Sequence, residues 1–180
     1  MSKRSIIDQH IEIKPEDFDH PYQRQLTAKL DQRTGPFHQN VINEIVLWKV
    51  NRYAAISKPT LELLNSISGQ KRNSDLTRRI LADLLQTKGI RLPMASTILR
   101  FRAPQLNQII DQRAYRLLYG TDLKLNNARK HIESNIDLYE QYLHDLGNLC
   151  KLKKIPFHLA DRVLYQADKR INHGKRISSR

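Results

Sequence analysis

The sequence predicts an all-α protein. Apolar residues recur at steps of three and four along the chain, as on one face of a helix, and no segment alternates with period two over any length. Prolines and glycines separate these periodic segments, as turns and helix ends require. With 180 residues and 39% apolar content, the chain can bury a sizeable core, so we expect one domain or two small lobes that share a core.

The periodic segments divide the chain into an arm, a domain and a tail. Residues 1–35 are polar and contain several helix breakers, so they are predicted to form an arm with one helix from Glu16 to Asp31. Residues 36–172 hold the amphipathic segments and form the predicted domain. Residues 173–180 form a basic tail, since the last acidic residue of the chain is Asp168.

Each helix of the domain is predicted from apolar residues at helical spacing, bounded by a proline, a glycine or a capping residue. The predicted helices span residues 36–52, 59–67, 74–89, 92–101, 111–120, 125–146 and 156–171. Ser74 is the predicted N-cap of the third helix, and Gly89 is its left-handed C-terminal residue. Pro93 suits the first turn of the next helix, so these two helices form a tight hairpin. The last helix is predicted to bury Leu159, Ala160, Val163, Leu164 and Ala167.

The charge of the chain indicates a polyanionic partner. Lysine and arginine number 31 against 18 aspartates and glutamates, which gives a net charge of +13 and an isoelectric point near 10.0. Nucleic acid is the leading class of partner. A ribosomal protein, a histone-like packer or a membrane-surface binder has the same balance, so the charge narrows the partner without naming a reaction.

Several kinds of cofactor and site have no support in the sequence. The only cysteine, Cys150, cannot form an intrachain disulfide or supply the four thiolates of an iron–sulfur cluster. The 7 histidines show no paired spacing for zinc, and there is no glycine-rich loop for ATP or NAD, so we expect no cofactor. The N-terminus lacks a signal-peptide pattern, and no window approaches the roughly 20 apolar residues of a membrane span. We therefore expect a cytoplasmic protein, or a nuclear one in a eukaryotic host.

The turn of the predicted hairpin is a candidate phosphate site. No acidic residue lies between Asp83 and Asp111. The cations of this stretch are Lys88, Arg91, Arg100 and Arg102. A tight turn that leads into a helix N-terminus offers unpaired backbone N–H groups and the positive end of the helix dipole, which suit a phosphate. Solvated loop charges would give the same pattern, so the hairpin alone leaves both interpretations open.

Asp111 is the candidate catalytic residue. It follows Ile109 and Ile110 and precedes a helix that carries Ala114 and Leu117, so its carboxylate is expected at a helix N-terminus beside apolar surface. A plain N-cap is the commoner role for an aspartate in that place. A carboxylate at the edge of a basic groove also suits glycosidic-bond cleavage, because a negative charge stabilises an oxocarbenium-like sugar while water attacks it. The two roles are compatible.

The segment Lys88–Ala95, KGIRLPMA, resembles the helix-hairpin-helix element of the endonuclease III-like DNA glycosylase superfamily, whose usual form is Gly-hydrophobic-Gly-x-x-Thr-Ala. In that family a catalytic aspartate follows in a hydrophobic-Val-Asp segment that opens the next helix, and Ile109-Ile110-Asp111 matches it in type and place. The phrases GIRLPMASTILRF, IIDQRAYRLL and LADRVLYQADK resemble more closely a small bacterial group that lacks the iron–sulfur motif.

The resemblance covers residues 36–172 and implies a two-lobed helix-hairpin-helix glycosylase-like fold. It implies that Asp111 is catalytic and that the hairpin binds double-stranded DNA, without an iron–sulfur cluster and with a monovalent cation at the hairpin as an option. The implied DNA-phosphate contacts are Lys88, Gly89, Arg91, Met94, Ala95, Arg100 and Arg102.

Two departures from the family pattern change what the resemblance implies. Arg91 stands where the motif has its second glycine, a position that often requires positive φ, so a strained or reshaped hairpin is expected. Pro93 stands where lyase members carry a nucleophilic lysine, so Schiff-base chemistry has no obvious agent.

Aromatic residues are candidates for a pocket that holds a flipped base. Trp48, Tyr53 and Tyr115 are the candidates, because aromatic faces stack on an extruded base. Trp48 and Tyr53 belong to the segment Pro36–Tyr53, which resembles the helix before the base-reading loop of the family. Core packing is the alternative, and only Tyr53, near its helix end, favours the functional role.

These observations support competing functions. The first is a monofunctional DNA glycosylase, a base-excision repair hydrolase that flips one nucleotide and removes a damaged or modified base with Asp111. The second is a non-catalytic DNA-binding module, which the departures at Arg91 and Pro93 favour. The third is an RNA-binding or helical scaffold protein, which the charge of +13 allows. In each case we expect a monomer that binds no membrane.

Overall fold

The computed structural model describes residues 23–50, 54–67 and 73–176, and every regular element within these ranges is helical. The predicted all-α class is therefore confirmed for the described part of the chain. The α-helices are α1 (Arg24–Asp31), α2 (Gln39–Lys49), α3 (Lys58–Asn65), α4 (Ser74–Gln86), α5 (Leu92–Arg102), α6 (Gln112–Tyr119), α7 (Ile132–Lys153) and α8 (Ala160–Ile171). Short 3₁₀ turns at Arg129–His131 and Phe157–Leu159 lead into α7 and α8. Among the described helices, none combines the length and apolar character needed to cross a membrane.

The chain forms two compact units, residues 1–53 and residues 54–180. The first unit holds α1 and α2, and the indole N–H of Trp48 donates to Oγ1 of Thr27 at 2.9 Å, which ties these two helices together. Its buried apolar residues, within the part described, are Leu26 and Val41. The predicted start of the domain at residue 36 falls inside this first unit.

The core of the second unit lies between α4, α5 and α7. Each of these helices carries apolar residues at helical spacing, so each has one face to bury. The side chains that are buried almost completely are Ile80, Leu81, Leu84, Leu92, Leu99, Ile110, Ile136, Tyr139, Tyr142 and Leu146. Helix α4 packs against α3, α5 and α7, and α6 packs along α8. This packing gives the loop between α5 and α6 a rigid support.

The N-cap of α4 is Asn73 rather than the predicted Ser74. The side chain of Asn73 accepts a hydrogen bond from the amide of Leu76 at 3.0 Å. Ser74 is the first helical residue, and its hydroxyl donates to Glu140 at 2.6 Å. Serine and asparagine are both good caps, so the prediction was wrong by one residue because a contact with α7 engages the serine instead.

The α4–α5 hairpin turns over residues 87–91. Gly89 has φ +87°, a left-handed value that favours glycine. The amide of Ile90 donates to the carbonyl of Thr87 at 3.1 Å and closes the turn. Arg91 has φ −115° and ψ 170°, which is ordinary extended backbone. The strain predicted for Arg91 is therefore absent, because the left-handed residue of this turn is Gly89.

The last helix buries Ala160 and Leu164 as predicted, but the rest of the predicted face differs. Leu159 and Val163 were expected in the core, but they are 36% and 40% exposed. The buried residues of α8 are Ala160, Asp161, Leu164 and Asp168. Two carboxylates thus lie on the buried face, where arginines of the neighbouring helices α5 and α6 compensate their charge.

Candidate active site

Asp111 is the N-cap of α6, as predicted. Its backbone is extended, and its Oδ1 accepts a hydrogen bond from the amide of Ala114 at 2.8 Å. The residue is half-buried. Burial raises the pKa of the Asp111 carboxyl, amide hydrogen bonds from Ala114 and Arg113 oppose that rise, and the charge of Asp161 adds to it. The carboxyl is therefore held at a helix N-terminus with its affinity for a proton increased.

The segment that precedes α6 is held in place by two other helices. Tyr139 and Tyr142 of α7 donate from their hydroxyls to successive carbonyls, those of residues 108 and 109, at 2.9 Å each. The amide of Ile110 donates to Oγ of Ser96 in α5 at 3.2 Å. Burial raises the pKa of Tyr142 well above its usual value, so its hydroxyl remains a donor at neutral pH. Asp111 is thus fixed from both the hairpin helix α5 and the long helix α7.

Asp111 lines a cavity of about 240 Å³ that opens to solvent between α6 and the N-terminal half of α8. The lining residues are Ile109, Asp111, Asp161, Arg162, Tyr165 and Gln166. Helices α6 and α8 run in the same direction here, since their starts meet at the cavity and their later turns pair through Arg116 and Asp168. Ligand pockets usually measure roughly 300–1,000 Å³, so this cavity is smaller than a typical ligand pocket.

The arginines that follow Asp111 are bound elsewhere. Arg116 donates to both carboxylate oxygens of Asp168, from Nη2 at 2.7 Å and from Nε at 3.0 Å, and Arg113 Nη1 donates to the same carboxylate at 3.1 Å. Asp168 is fully buried. The hydrogen bond from Arg116 is the main cause that lowers the pKa of Asp168 to about 2. Arg113 and Arg116 therefore form an ion-pair network with Asp168, and no salt bridge joins either of them to Asp111.

Asp161 is the second carboxylate of the cavity, and it is only 4% exposed. Its Oδ1 accepts from the amide of Arg162 at 2.7 Å, and its own amide donates to Oε1 of Gln108 at 3.2 Å. Oδ2 lies 3.4 Å from Nε of Arg100, and neither atom has a hydrogen-bond partner. Arg100 thus compensates the charge of Asp161 without donating a hydrogen bond to Oδ2 of Asp161.

The predicted phosphate contacts divide into exposed and internal groups. Lys88, Gly89 and Arg91 are exposed in the hairpin turn, and Met94 is 51% exposed in the first turn of α5. Ala95 is fully buried, and its amide already donates to the carbonyl of Arg91 at 2.9 Å. The turn and the start of α5 therefore remain accessible to a phosphate, whereas Ala95 contributes to packing.

Arg100 is corrected from a predicted phosphate contact to a buried residue, whereas Arg102 is half-buried against the end of α3. Arg100 is 7% exposed, and its Nη2 donates to the carbonyl of His158 at 3.0 Å. The guanidinium of Arg102 donates to the carbonyls of Leu64 and Asn65 at 3.1 and 2.6 Å, which satisfies the C-terminal end of α3. The guanidinium of Arg100 is therefore bound inside the second unit, whereas that of Arg102 is bound to the end of α3 with its contact to Asn65 at the surface.

The predicted aromatic residues do not line the cavity. Trp48 lies in the first unit, where its indole binds Thr27. Tyr53 lies outside the described residues. The Tyr115 ring packs against the rings of Tyr119 and Tyr142, with centroids 4.5 and 6.5 Å apart. Tyr115 is therefore a packing residue, which was the alternative interpretation.

Tyr165 is the aromatic residue that lines the cavity, and the prediction missed it. The guanidinium of Arg113 lies 5.5 Å from its ring centroid, and the ammonium of Lys169 lies 5.9 Å from it. Cations at that distance are attracted by the ring face and hold it in place. Tyr165 is 38% exposed, so part of the ring is available to a ligand.

A sequence signal for Asp161 was present. It lies between Ala160 and Leu164 on the face of the last helix that the apolar spacing marks as buried. A charged residue on a buried face needs a partner or a function, because isolated burial of a charge is costly. Tyr165 had no such signal, since its neighbours in sequence do not distinguish a cavity wall from an ordinary surface.

The described residues offer no obvious metal centre. Among them, no group of three or more histidine, cysteine, aspartate and glutamate side chains could hold a metal ion. Cys150 is buried, and burial raises the pKa of its thiol. The cysteine is therefore a packing residue with little thiolate at neutral pH.

No protein-family model matches the chain, and no curated protein or solved structure matches it either. The likeness to helix-hairpin-helix glycosylases thus remains a resemblance of motifs and their order. A function for this chain is inferred from its own residues and their geometry.

Proposed function

We propose that this protein is a monofunctional DNA glycosylase that hydrolyses the N-glycosidic bond of a damaged or modified base in double-stranded DNA. The environment of Asp111 is the observation that supports this proposal most. Its carboxylate lines an open cavity at a helix N-terminus, and the arginines that follow it bind Asp168 instead. A carboxylate without a paired cation is available to stabilise positive charge on a substrate.

The reaction requires a negative charge and a proton acceptor at one place. When the bond between C1′ and the base breaks, the base leaves with the electron pair and the sugar gains oxocarbenium character. Asp111 stabilises that charge and accepts a proton from the water that attacks C1′. Burial raises the pKa of Asp111, and a carboxylate with a raised pKa is the stronger base as long as it is ionised.

DNA binding in this proposal uses the hairpin turn and the exposed face of α8. Lys88 and Arg91 are exposed beside the start of α5, whose first amides have no partner within the helix. Arg162 and Lys169 are exposed on α8, one at the cavity and one near Tyr165. These cations bind phosphates on either side of a flipped nucleotide, and hydrolysis by water needs no cofactor.

The absence of a lyase step is part of the proposal. Pro93 occupies the position of the lyase lysine, in the first turn of α5, and its ring nitrogen is a tertiary amide that cannot form a Schiff base. The product is therefore an intact strand with an abasic site. This property separates the proposed enzyme from bifunctional members of the family it resembles.

The test uses a set of duplexes that each hold a single lesion. After incubation with the protein, one portion of each is left untreated, one is heated with alkali and one is treated with borohydride. Strand scission at the lesion is expected only in the portion heated with alkali, and borohydride is expected to trap no covalent complex. If borohydride traps a complex efficiently, the monofunctional mechanism is wrong, and Lys88, exposed in the turn, is the first amine to replace. If no duplex is cut even after alkali, the protein is not a glycosylase for those lesions.

A non-catalytic DNA-binding module is the second candidate function. The capping bond from Ala114 to Asp111 favours it, because a satisfied N-cap explains the aspartate without any chemistry. In that case the protein would bind duplexes with and without lesions equally and excise nothing. Measuring affinity and excision on the same duplexes separates the two functions.

A further inference from the structure

We propose that Asp161 is a second functional residue of the cavity, and that its Oδ2 accepts a hydrogen bond from the water that attacks C1′. This inference rests on the proposed glycosylase function and deepens it. It assigns the two carboxylates of the cavity different tasks: Asp111 takes a proton from the water, and Asp161 holds the water by its other proton.

An unsatisfied buried oxygen is the first observation that supports this role. Asp161 is 4% exposed, yet its Oδ2 has no hydrogen-bond partner, and the nearest cation, Nε of Arg100, lies 3.4 Å away without forming a hydrogen bond. Buried side-chain oxygens nearly always have a partner, so an exception calls for an explanation. Asp161 lines the open cavity while Oδ2 itself is buried beside Arg100, so rotation of the carboxylate toward the cavity is the step that would bring Oδ2 to a polar molecule there.

Asp168, the other buried carboxylate of α8, provides a contrast. Asp168 accepts hydrogen bonds from Arg113, Arg116 and Asn172, at distances of 2.7 to 3.1 Å. This is how a carboxylate with a structural role is satisfied in a buried site. Asp161 lies seven positions earlier on the same buried face. Its ion pair with Arg100 contains no hydrogen bond to Oδ2. Protein groups therefore satisfy both oxygens of Asp168, whereas one oxygen of Asp161 has no hydrogen bond.

Asp161 also lies close to Asp111. Both line the same cavity, which places the two carboxylates near each other, and the charge of Asp161 adds to the raised pKa of Asp111. Arg100 compensates the charge of Asp161, so Asp161 acts as a hydrogen-bond acceptor and Asp111 is the carboxylate that stabilises the sugar cation.

Atoms and electrons balance in the hydrolytic step. The water oxygen forms a bond to C1′, and the C1′–N bond breaks with its electron pair on the departing base, which takes a proton from solvent. One water proton passes to Asp111, which later releases it to solvent. The other proton stays on the oxygen and becomes the C1′ hydroxyl of the abasic sugar, still hydrogen-bonded to Asp161.

The C1′ hydroxyl provides a test that needs no turnover. A duplex with a natural abasic site carries this hydroxyl, and a duplex with a tetrahydrofuran analogue lacks it. The wild-type protein should bind the natural abasic duplex about 10-fold more tightly, as for a hydrogen bond to a charged group. Asp161→Asn should reduce that preference to about 3-fold or less, because a neutral amide oxygen is a weaker acceptor.

Controls separate this role from a loss of folding. Asp137→Asn removes the charge of an exposed carboxylate on α7 that does not line the cavity, and it should leave the hydroxyl preference unchanged. Asp161→Asn leaves Arg100 buried without its counter-charge, so a double variant, Arg100→Met with Asp161→Leu, replaces the pair by apolar side chains of similar size, which proteins often tolerate well. The double variant should fold and show no hydroxyl preference. If a folded double variant keeps the wild-type preference, the inference is wrong.

Single-turnover excision on the best lesion duplex distinguishes this inference from the proposed function. If the wild-type protein excises a base, Asp161→Asn should lower the rate by about 10- to 100-fold, the scale of a mispositioned reactant, with little change in duplex affinity. Excision that is lost in Asp111→Asn and unchanged in Asp161→Asn would keep the glycosylase and overturn the role of Asp161. A hydroxyl preference that depends on Asp161, without excision of any lesion, would support the acceptor and contradict the hydrolase.

Discussion

Arg116 binds Asp168 through a bidentate contact, with Nη2 at 2.7 Å from Oδ2 and Nε at 3.0 Å from Oδ1. This contact fastens the middle of α6 to α8. The same helix begins at Asp111, whose carboxylate faces the cavity without such a partner. Helix α6 thus carries an ion-pair network with a structural role along its length and an available carboxylate at its start.

Replacement of Asp111 by asparagine should slow excision strongly while binding persists. If Asp111 stabilises charge and accepts a proton in the transition state, Asp111→Asn should lower single-turnover excision by roughly 10² or more. Affinity for the same duplex should hold or rise, since a negative charge leaves a surface that binds a polyanion. A titration of the duplex beside the rate measurement checks both expectations.

Thermal melting of the Asp111→Asn variant provides the control. Asparagine is an acceptable N-cap, so the melting temperature should fall by no more than a few degrees. Excision by the wild type should also decline as the pH falls through the raised pKa of Asp111, because the protonated carboxyl can neither accept a proton nor stabilise a cation. Wild-type activity in the variant would reduce Asp111 to a helix cap.

Charge reversal in the hairpin turn should weaken DNA binding whatever the sequence of the duplex. Lys88→Glu or Arg91→Glu should lower affinity and make the log–log salt slope shallower by about 0.9 for each phosphate that the variant no longer neutralises. Titrations of two unrelated duplexes at several salt concentrations measure this effect. Lys130→Glu, an exposed cation outside the hairpin, is the matched control for net charge. An equal reduction of affinity in the control would remove the hairpin from the interface.

Loss of the buried carboxylate Asp168 should destabilise the second unit and change its response to acid. Asp168→Asn leaves Arg116 and Arg113 without their counter-charge, which costs about 3–5 kcal/mol for a buried pair. The wild-type carboxyl of Asp168 has a pKa of about 2 against a usual 3.8. In the folded protein it therefore binds its proton at a lower pH than it does in the unfolded chain. Its stabilising contribution is present above pH 3.8 and is lost as the pH falls from 3.8 towards 2.

Urea unfolding at neutral pH and at points between pH 4 and pH 2 tests the role of Asp168. The variant should lack this part of the acid response. Asp137→Asn is the matched control, since Asp137 pairs with Arg78 at 2.7 Å but its side chain is 65% exposed. Exposed pairs contribute roughly 0–1 kcal/mol, so the control should behave nearly as the wild type does. Equal losses of stability in both variants would mean that burial does not determine the strength of the Asp168 network.

Alanine at two glycines should have opposite effects on stability. Gly89 has φ +87°, and a Cβ there would meet nothing within 4 Å, so Gly89→Ala costs only the backbone strain, about 1–2 kcal/mol. Gly147 lies within α7, with no positive φ and equally open surroundings, so Gly147→Ala should stabilise by about 0.5–1 kcal/mol. Urea unfolding of both variants checks the signs. A neutral Gly89→Ala would mean that the turn adopts another conformation.

Most of the local structure could be predicted from the sequence. The helical class, the hairpin at Gly89 and the capping role of Asp111 follow from apolar spacing and from residues with strong local preferences. These signals act within a few residues, because helical hydrogen bonds, caps and left-handed turns join near neighbours. The error at Ser74 shows the limit, since Asn73 has the same local preference and a distant contact decided between them.

The sequence by itself determined the helical class and placed Asp111 at the start of a helix, although the longest helix runs over Ile132–Lys153 and not over the predicted residues 125–146. Only the tertiary structure decided that Arg102 caps α3 from 38 positions away, that Arg116 binds Asp168 across 52, and that Asp161 and Tyr165 line the cavity of Asp111. Arginines such as Arg91 and Arg102 lie in the same basic stretch, and local sequence patterns do not distinguish their roles. Which acid or carbonyl each of them meets depends on how the helices pack, because a charge is paired through space and not through the chain.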